Sequence, residues 1–306
     1  MAATSHTQGL NTAFRFFRFA LSHPSPLHNR IGAIGRFLLR QAHKRIVGRS
    51  LLINWEGLQL DVGVSSTSAA AAYYLGRPDW WEFDFLERFL RYGDTVVDVG
   101  ANVGVYSLFM GKLVGPGGTV IACEPDPESA GALRANVVRN HLQHVEVVEA
   151  AVADKGGAVD FLSGLGTVSR IAADGGDHPS ARVTLVTLDA VCRTCNPVFA
   201  KVDVEGFEDL VLRGANQLMQ RGFPKVWQLE VDPHRTQQTA SVAAELARFR
   251  YRCFVWNPGT HVLVPHTLGS SNANNVLAIA DIGFVEQRLK KAAPLQAGQP
   301  GVLGTA

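Results

Sequence analysis

The chain has 306 residues, room for one large domain with an appendage or for two small domains. Its 46% hydrophobic and 18% charged content is that of an ordinary globular protein, and no apolar run reaches the roughly 20 residues that span a bilayer. The net charge of +2 hides an asymmetry: residues 1–55 hold eight basic and no acidic side chains, leaving 21 basic against 27 acidic groups beyond them. A mildly acidic remainder argues against a nucleic-acid groove.

Four cysteines (Cys123, Cys192, Cys195 and Cys253) are scattered through a chain long enough to need no disulfides. Cys192 and Cys195 form a C-x-x-C, but no second pair or nearby histidine couple completes a metal site. No metal is expected, and a reducing cytoplasm is the plain compartment.

From the beginning, Phe14 to Leu21 is aromatic and basic until Pro24 and Pro26 break it. A second helical stretch runs from about Ile31 to Val47. The first stretch lacks the apolar core and small-residue cleavage site of a secretory signal. Its acid-free composition fits a transit peptide or a membrane-surface helix; a helical cap packed on the domain is the preferred reading. Leu51 to Val64 reads as a β-hairpin turning near Gly57, and residues 62–76 as an uncharged loop or cap. Phe83, Leu86, Phe89 and Leu90 recur at helical spacing within Trp80 to Tyr92.

Val96 to Val99 then reads as a buried strand. It runs into Asp98-Val99-Gly100-Ala101-Asn102-Val103-Gly104, with a helix from Tyr106 to Val114. Strand, Gly-rich turn and helix open a doubly wound α/β sheet at its ligand-binding end. Glycine at 100 and 104 lets a ligand approach the backbone. Asn102 stands where a dinucleotide site has the glycine that seats a pyrophosphate. This points to S-adenosylmethionine and away from NAD.

Gly115-Pro116-Gly117-Gly118 is a turn, Thr119 to Cys123 a second strand, and Asp126-Pro127 the cap and first residue of a helix to about Asn140. Val145 to Ala151 is a third strand. Residues 156–180 are irregular, with a hairpin around Ala158 to Leu162 and a short strand at Val183 to Leu188. Val198 to Val204 is a fourth core strand, followed by a helix over Glu208 to Gln220. Lys225 to Val231 is a fifth strand, and Val242, Leu246 and Phe249 mark a covering helix. Cys253 to Trp256 and Asn275 to Ala280 are the last strands, joined by an irregular connection, Asn257 to Asn274. The expectation is a Rossmann-like sheet of seven strands, helices on both faces, with an antiparallel pair at one edge. Residues 1–73 form a helical and β extension, 74–285 the domain, and 286–306 a disordered tail.

Ligands in such sheets lie beyond the carboxyl ends of the strands. Those ends carry Asp98, Gly100, Ala101, Asn102 and Gly104, then Glu124-Pro125, suited to accept ribose hydroxyl protons. Glu149-Ala150-Ala151 follows, with Ala150 and Ala151 leaving room for an adenine ring, then Asp203 and Glu205, then Glu230 and Asp232. Asp203, Glu205 and Glu230 are the candidate catalytic groups, Asp203 also a candidate cofactor contact. His234 is a possible base, although a lone loop histidine is more often a surface residue.

Together, Asp98-Val-Gly-Ala-Asn-Val-Gly104, Glu124-Pro125, Asn136 to Asn140 and Lys201-Val-Asp-Val-Glu-Gly-Phe-Glu208 resemble the FkbM-type S-adenosylmethionine-dependent methyltransferases over about Tyr74 to Ala280. Ser169 and Leu188-Asp189 fall where that family has a Ser-containing loop and a Leu-Asp pair. The resemblance implies a class I methyltransferase fold, S-adenosyl-L-methionine as cofactor, and O-methylation of a hydroxyl on a sugar, polyketide or other secondary metabolite. The acceptor would be a small molecule or glycan, not nucleic acid, with peripheral membrane contact left open for the basic N-terminus. The rivals are a nicotinamide-dependent oxidoreductase and a non-catalytic binding protein that keeps the fold.

Overall fold

The structure, a computed structural model, describes residues 30–64, 66–162, 170–171, 180–270 and 274–290. The expected aromatic stretch Phe14 to Leu21 and the loop residue Ser169 lie outside these. The chain divides into two units, Met1–Trp80 and Trp81–Ala306.

In the first unit, helix α1 (Arg30–Ile46) precedes a hairpin of β1 (Leu51–Trp55) and β2 (Leu58–Val62). Glu56 and Gly57 both have positive φ, 53° and 79°, the backbone a two-residue hairpin turn requires. Leu58, Leu60 and Val62 alternate inward along β2. Residues 62–76, expected as loop or cap, contain a helix instead, α2 (Ser68–Leu75). Ser66 Oγ accepts from the Ala69 amide at its start and Gly76 ends it at φ 75°. A run of alanines carries no polar–apolar contrast, so no helical period was visible there.

The second unit opens with α3 (Trp80–Phe89), then β3 (Thr95–Val99), α4 (Val105–Val114), β4 (Thr119–Cys123), α5 (Pro127–Arg139) and β5 (Val145–Val148). Asp126 caps α5 by accepting from the Ser129 amide, with Pro127 in the first turn, as expected. A smaller antiparallel and parallel sheet follows: β6 (Ala151–Val152), β7 (Gly157–Leu162), β8 (Arg170–Ile171) and β9 (Ser180–Val186). After α6 (Leu188–Val191) come β10 (Phe199–Val202), α7 (Glu208–Arg213), α8 (Asn216–Gln220), β11 (Val226–Glu230) and α9 (Thr236–Arg248). The unit ends with β12 (Arg252–Asn257), β13 (Val262–Pro265), β14 (Asn275–Ile279) and α10 (Ile282–Lys290).

The central sheet runs β13-β12-β14-β11-β10-β3-β4-β5. β5, β4, β3, β10 and β11 are parallel; β14 enters antiparallel between β11 and β12. This is the class I methyltransferase arrangement with one strand more than the seven expected. The eighth, β13, lies in the connection read as irregular. Asn257 Oδ1 accepts from the amides of Gly259 and Thr260, and His261 takes φ 54°, so the chain doubles back. Its Pro265 is tolerated because β13 is an edge strand.

Two further expectations are corrected. Val145 to Ala151 is not one strand: it stops at Val148, and β6 leaves to pair with β9 in the other sheet. The helix expected over Glu208 to Gln220 breaks at Gly214-Ala215, where a Cβ on Gly214 would lie 2.1 Å from the Ala153 carbonyl oxygen. Asp189 supplies the new helix start, its two carboxylate oxygens accepting from the Gln217 and Leu218 amides.

Strand alternation sends Val97, Val99, Ala200, Val202, Trp227 and Leu229 to one face, where Val211, Leu212, Leu218, Val242 and Leu246 cover them. The other face carries Phe199, packed through Phe89 of α3 with Phe284 of α10. Arg288 on α10 bonds both carboxylate oxygens of Asp94, and its carbonyl accepts from Arg91 at 2.6 Å. The helix thus continues past the boundary expected at 285. Arg288→Ala leaves Asp94 largely buried without its cation and should cost about 2–4 kcal/mol in urea unfolding. A loss below about 0.5 kcal/mol would mean the pair is no more than a surface ion pair.

Candidate functional site

Register across the parallel strands builds the site in two tiers. Lys201 lies opposite Asp98 on one side and Gln228 on the other, so three polar side chains share a row on the same face. All three are buried, a costly arrangement unless they satisfy one another. Two residues further along, the same alternation brings Asp203 and Glu230 to the strand ends above them.

Lys201 Nζ joins the tiers. It donates to Asp203 Oδ2 at 2.8 Å and sits 4.7 Å from the Tyr106 ring centroid on α4. Burial alone would lower its pKa, but the carboxylates of Asp203, Asp98 and Glu230 outweigh burial and hold the ammonium charged. Burial would likewise raise Asp203, yet Lys201 and a hydrogen bond with Glu230 bring it below the usual carboxylate range. Asp98 goes the other way. Its complete burial raises it, against the pull of Lys201 and a 2.6 Å hydrogen bond from Ser107 Oγ to Oδ2. Asp98 Oδ1 and both amide atoms of Gln228 have no hydrogen-bond partner among the described residues.

The Gly-rich loop between β3 and α4 is closed on itself. The Gly100 and Ala101 amides donate to the Cys123 carbonyl, Asn102 N–H to Glu124 Oε2, Val103 N–H to Asn102 Oδ1, and Gly104 N–H to the Ala101 carbonyl. Five successive amides are therefore engaged by protein oxygens. A phosphate-binding loop offers such amides to its ligand; here a carboxylate occupies that role. The loop is unsuited to a pyrophosphate, which counts against the nicotinamide reading. Gly100, at φ 81°, passes so near the chain after β10 that an added Cβ would fall 1.9 Å from the Asp203 carbonyl oxygen. Loop and acidic strand ends are in direct contact.

Glu124 is buried, its Oε1 accepting from the Asp126 amide and Oε2 from Asn102, both at 2.8 Å. Burial pushes its pKa up to about 7 despite these two backbone bonds. Each oxygen keeps a further lone pair. Pro125 is half-buried, and Ala150 and Ala151 are buried after β5.

Asp203, Glu205, Gly206, Glu208, Glu230, Asp232, Arg235, Gln238 and Asn274 line an open pocket of about 140 Å³. The three candidate catalytic carboxylates are thus brought to one cavity. Neither Glu205, exposed and at φ 52°, nor Glu208 is the helix cap: Phe207 holds that position without a side-chain bond, and Glu208, the first helical residue, accepts at Oε1 from the Gly206 amide while Gln238 bonds its other oxygen. Arg235 donates to the Glu205 carbonyl at 2.9 Å. His234 is exposed and outside the lining, its amide bound to Asp232. Among the described residues no group of three or more metal-ligating side chains converges.

Sequence reasoning overlooked Lys201 as a working residue, although it stands inside the K-x-D-x-E motif. A lysine two residues before an aspartate on a buried strand must share its face, which was the available signal. Arg235, Gln238 and Asn274 gave none, since only the fold brings their loops here.

Lys201→Met should change the pH response of stability. In the wild type, Asp203 is depressed, so its contribution is present above the ordinary carboxylate pKa and fades on acidification. Without the ammonium, Asp203 loses the partner that depresses it and Asp98, already raised by burial, is raised further, so the variant should gain more stability than the wild type as the pH falls from about 7 to about 5. Urea midpoints across that range decide it; parallel curves for the two proteins would mean that Lys201 does not govern the pair.

Residues 98–253 match the methyltransferase FkbM domain model. The 31-O-demethyl-FK506 methyltransferase FkbM of Streptomyces tacrolimicus is 30% identical over 205 residues, 62% of this chain and 76% of that protein. Among solved structures, an S-adenosylmethionine-dependent O-methyltransferase of Thermotoga maritima aligns at TM-score 0.39 and 14% identity, over 75% of this chain and 77% of that one. Aeropyrum pernix fibrillarin with natively bound S-adenosyl-L-methionine aligns at 0.38 and 11%, over 75% and 81%.

Proposed function

The chain belongs to the FkbM family of S-adenosylmethionine-dependent methyltransferases, and from that premise we propose that it methylates a hydroxyl oxygen of a sugar, polyketide or other secondary metabolite. The observation that carries this reading is the Asp203–Glu230 carboxylate pair, held over Lys201 at the strand ends beside Gly100. A relative named for 31-O-demethyl-FK506 supports oxygen as the acceptor atom.

The residues present fit the cofactor's chemistry. A ligand with a sulfonium and an ammonium suits a rim of carboxylates, and Asp98 Oδ1 is a buried acceptor without a protein donor. When bound, S-adenosylmethionine supplies an electrophilic methyl on an excellent leaving group. Asp98, the Gly100–Gly104 backbone with Ala101 and Asn102, Glu124, Pro125, Ala150 and Ala151 would hold it, with Asp203 reaching its edge. The spare lone pairs of Glu124 would accept from the ribose hydroxyls.

Asp203 and Glu230 then serve the acceptor. A hydroxyl oxygen becomes strongly acidic only as its new bond forms, so a carboxylate of low pKa suffices to take the proton. Lys201 keeps Asp203 ionised and fixes the oxygen that does not receive the proton. Glu205, exposed at the pocket mouth, orients the acceptor.

Asp203→Asn and Glu230→Gln should each cut turnover by about 10²-fold, while Glu230→Gln binds S-adenosylhomocysteine within a few-fold of wild type. Glu205→Gln should chiefly raise KM. Single-turnover transfer of labelled methyl to hydroxylated metabolites from cell extract provides the readout; normal rates in both Asp203→Asn and Glu230→Gln would end the proposal.

Glu124→Gln places an amide donor against one of two backbone donors, weakening S-adenosylhomocysteine binding by about 1–3 kcal/mol. Because protonation of Glu124 removes an acceptor, wild-type affinity should decline as the pH drops below about 7, and the variant should lose that dependence. Calorimetry between about pH 6 and 8 tests both; a pH-independent wild type would remove Glu124 from the ligand.

A further inference from the structure

Helix α1 is oriented against its own composition. Its inner face buries Ala33 and Phe37 together with Arg40, whose guanidinium donates to the Tyr74 hydroxyl and to the carbonyls of Gly63, Val64 and Ser66. Arg36 donates to the Tyr74 carbonyl at the end of α2. These arginines face inward because the loop before α2 and the last turn of α2 present carbonyls that still have lone pairs to satisfy. The helix therefore turns its other side chains to solvent. Ile31 is 84% exposed, Leu38 56%, Leu39 65% and Ile46 83%. With Gly35 and Ala42 they repeat at intervals of three and four, a continuous apolar stripe about 25 Å long at 1.5 Å per residue.

At the carboxyl end of the stripe, Arg45 and Arg49 are exposed, and Val47 and Leu52 prolong the apolar surface. No acidic residue occurs anywhere from 30 to 55. At 17 residues α1 is too short to cross a bilayer, and no helix of the described residues is long and apolar enough to do so. We propose that the outward face of α1 is a docking surface for an anionic lipid bilayer. The helix lies in the headgroup plane, with Ile31, Leu38, Leu39 and Ile46 in the acyl boundary and Arg45 and Arg49 on lipid phosphates. Charge decides between this occupant and a second copy of the chain. Pairing two such helices would bury the leucines equally well but bring no carboxylate to either cationic end.

The test is flotation of the full-length protein with vesicles of phosphatidylcholine containing about 30 mol% phosphatidylserine, against phosphatidylcholine alone. Binding is expected only to the mixed vesicles, weakening as ionic strength rises to about 1 M. Leu38→Ser/Leu39→Ser should bind roughly tenfold more weakly, through lost apolar burial. Arg45→Gln/Arg49→Gln should lose most of the salt-sensitive component. All four positions are exposed, so thermal midpoints should stay at the wild-type value, which separates lost docking from lost folding. The proposal fails if the wild type does not float, or if both double variants float as it does. It also fails if light scattering finds a dimer that Leu38→Ser/Leu39→Ser dissociates, which would make the stripe a protein interface.

Discussion

One ammonium group, that of Lys201, makes the acidic end of the sheet tenable. Four carboxylates (Asp98, Asp203, Glu230 and, at the mouth, Glu205) are delivered to neighbouring strand ends by the parallel register. Without a cation between them, mutual repulsion and desolvation would protonate some and expel others. The lysine answers this from within the sheet, where its charge is least screened, its stem flanked by strands and its head against Tyr106. Its position also assigns the carboxylates different states. Asp203 is pulled below its ordinary range, while Asp98, deeper and more completely buried, is driven above it. Two aspartates on adjacent strands thus differ in chemistry because one lysine bonds only one of them.

A second constraint acts on the loop beside this centre. The turn after β3 spends all its amides internally, and Glu124 supplies the negative charge that a phosphate supplies elsewhere. The carboxylate ties β4 to the loop and holds Asn102 in its left-handed backbone, φ 50°. Because the anion is covalently part of the chain, the loop has no amide left for a ligand phosphate. The contact of Gly100 with the Asp203 carbonyl couples the two halves: any displacement of the loop is felt at the acidic rim.

The first unit obeys the same rule with the opposite outcome. Buried carbonyls must find donors, and there the donors are Arg36 and Arg40, drawn from a helix whose apolar side chains are consequently left outside. In the sheet a buried cation is balanced by carboxylates; in the first unit a buried cation is balanced by backbone dipoles. Both choices free other groups, acids in one case and leucines in the other, to face a ligand or a surface.

Much of this was legible before any coordinates. Short apolar runs ending in Gly-rich or acidic residues located all five parallel strands, because a strand covered on both faces must be apolar at nearly every position. Asp126-Pro127 marked a helix start since cap chemistry is local. The sequence by itself therefore determined the α/β class, the strand ends and the family motif, all of which depend on neighbours a few residues away. It did not reveal β13, the break at Gly214 or the helix in the alanine run, where local pattern is weak and long-range contact chooses. Nor did it indicate that Lys201 bridges two tiers, that Glu208 bonds back to the Gly206 amide and across to Gln238, or that α1 turns its arginines inward. Those outcomes rest on which strands lie side by side and which carbonyls are left buried, and only the tertiary structure decides them.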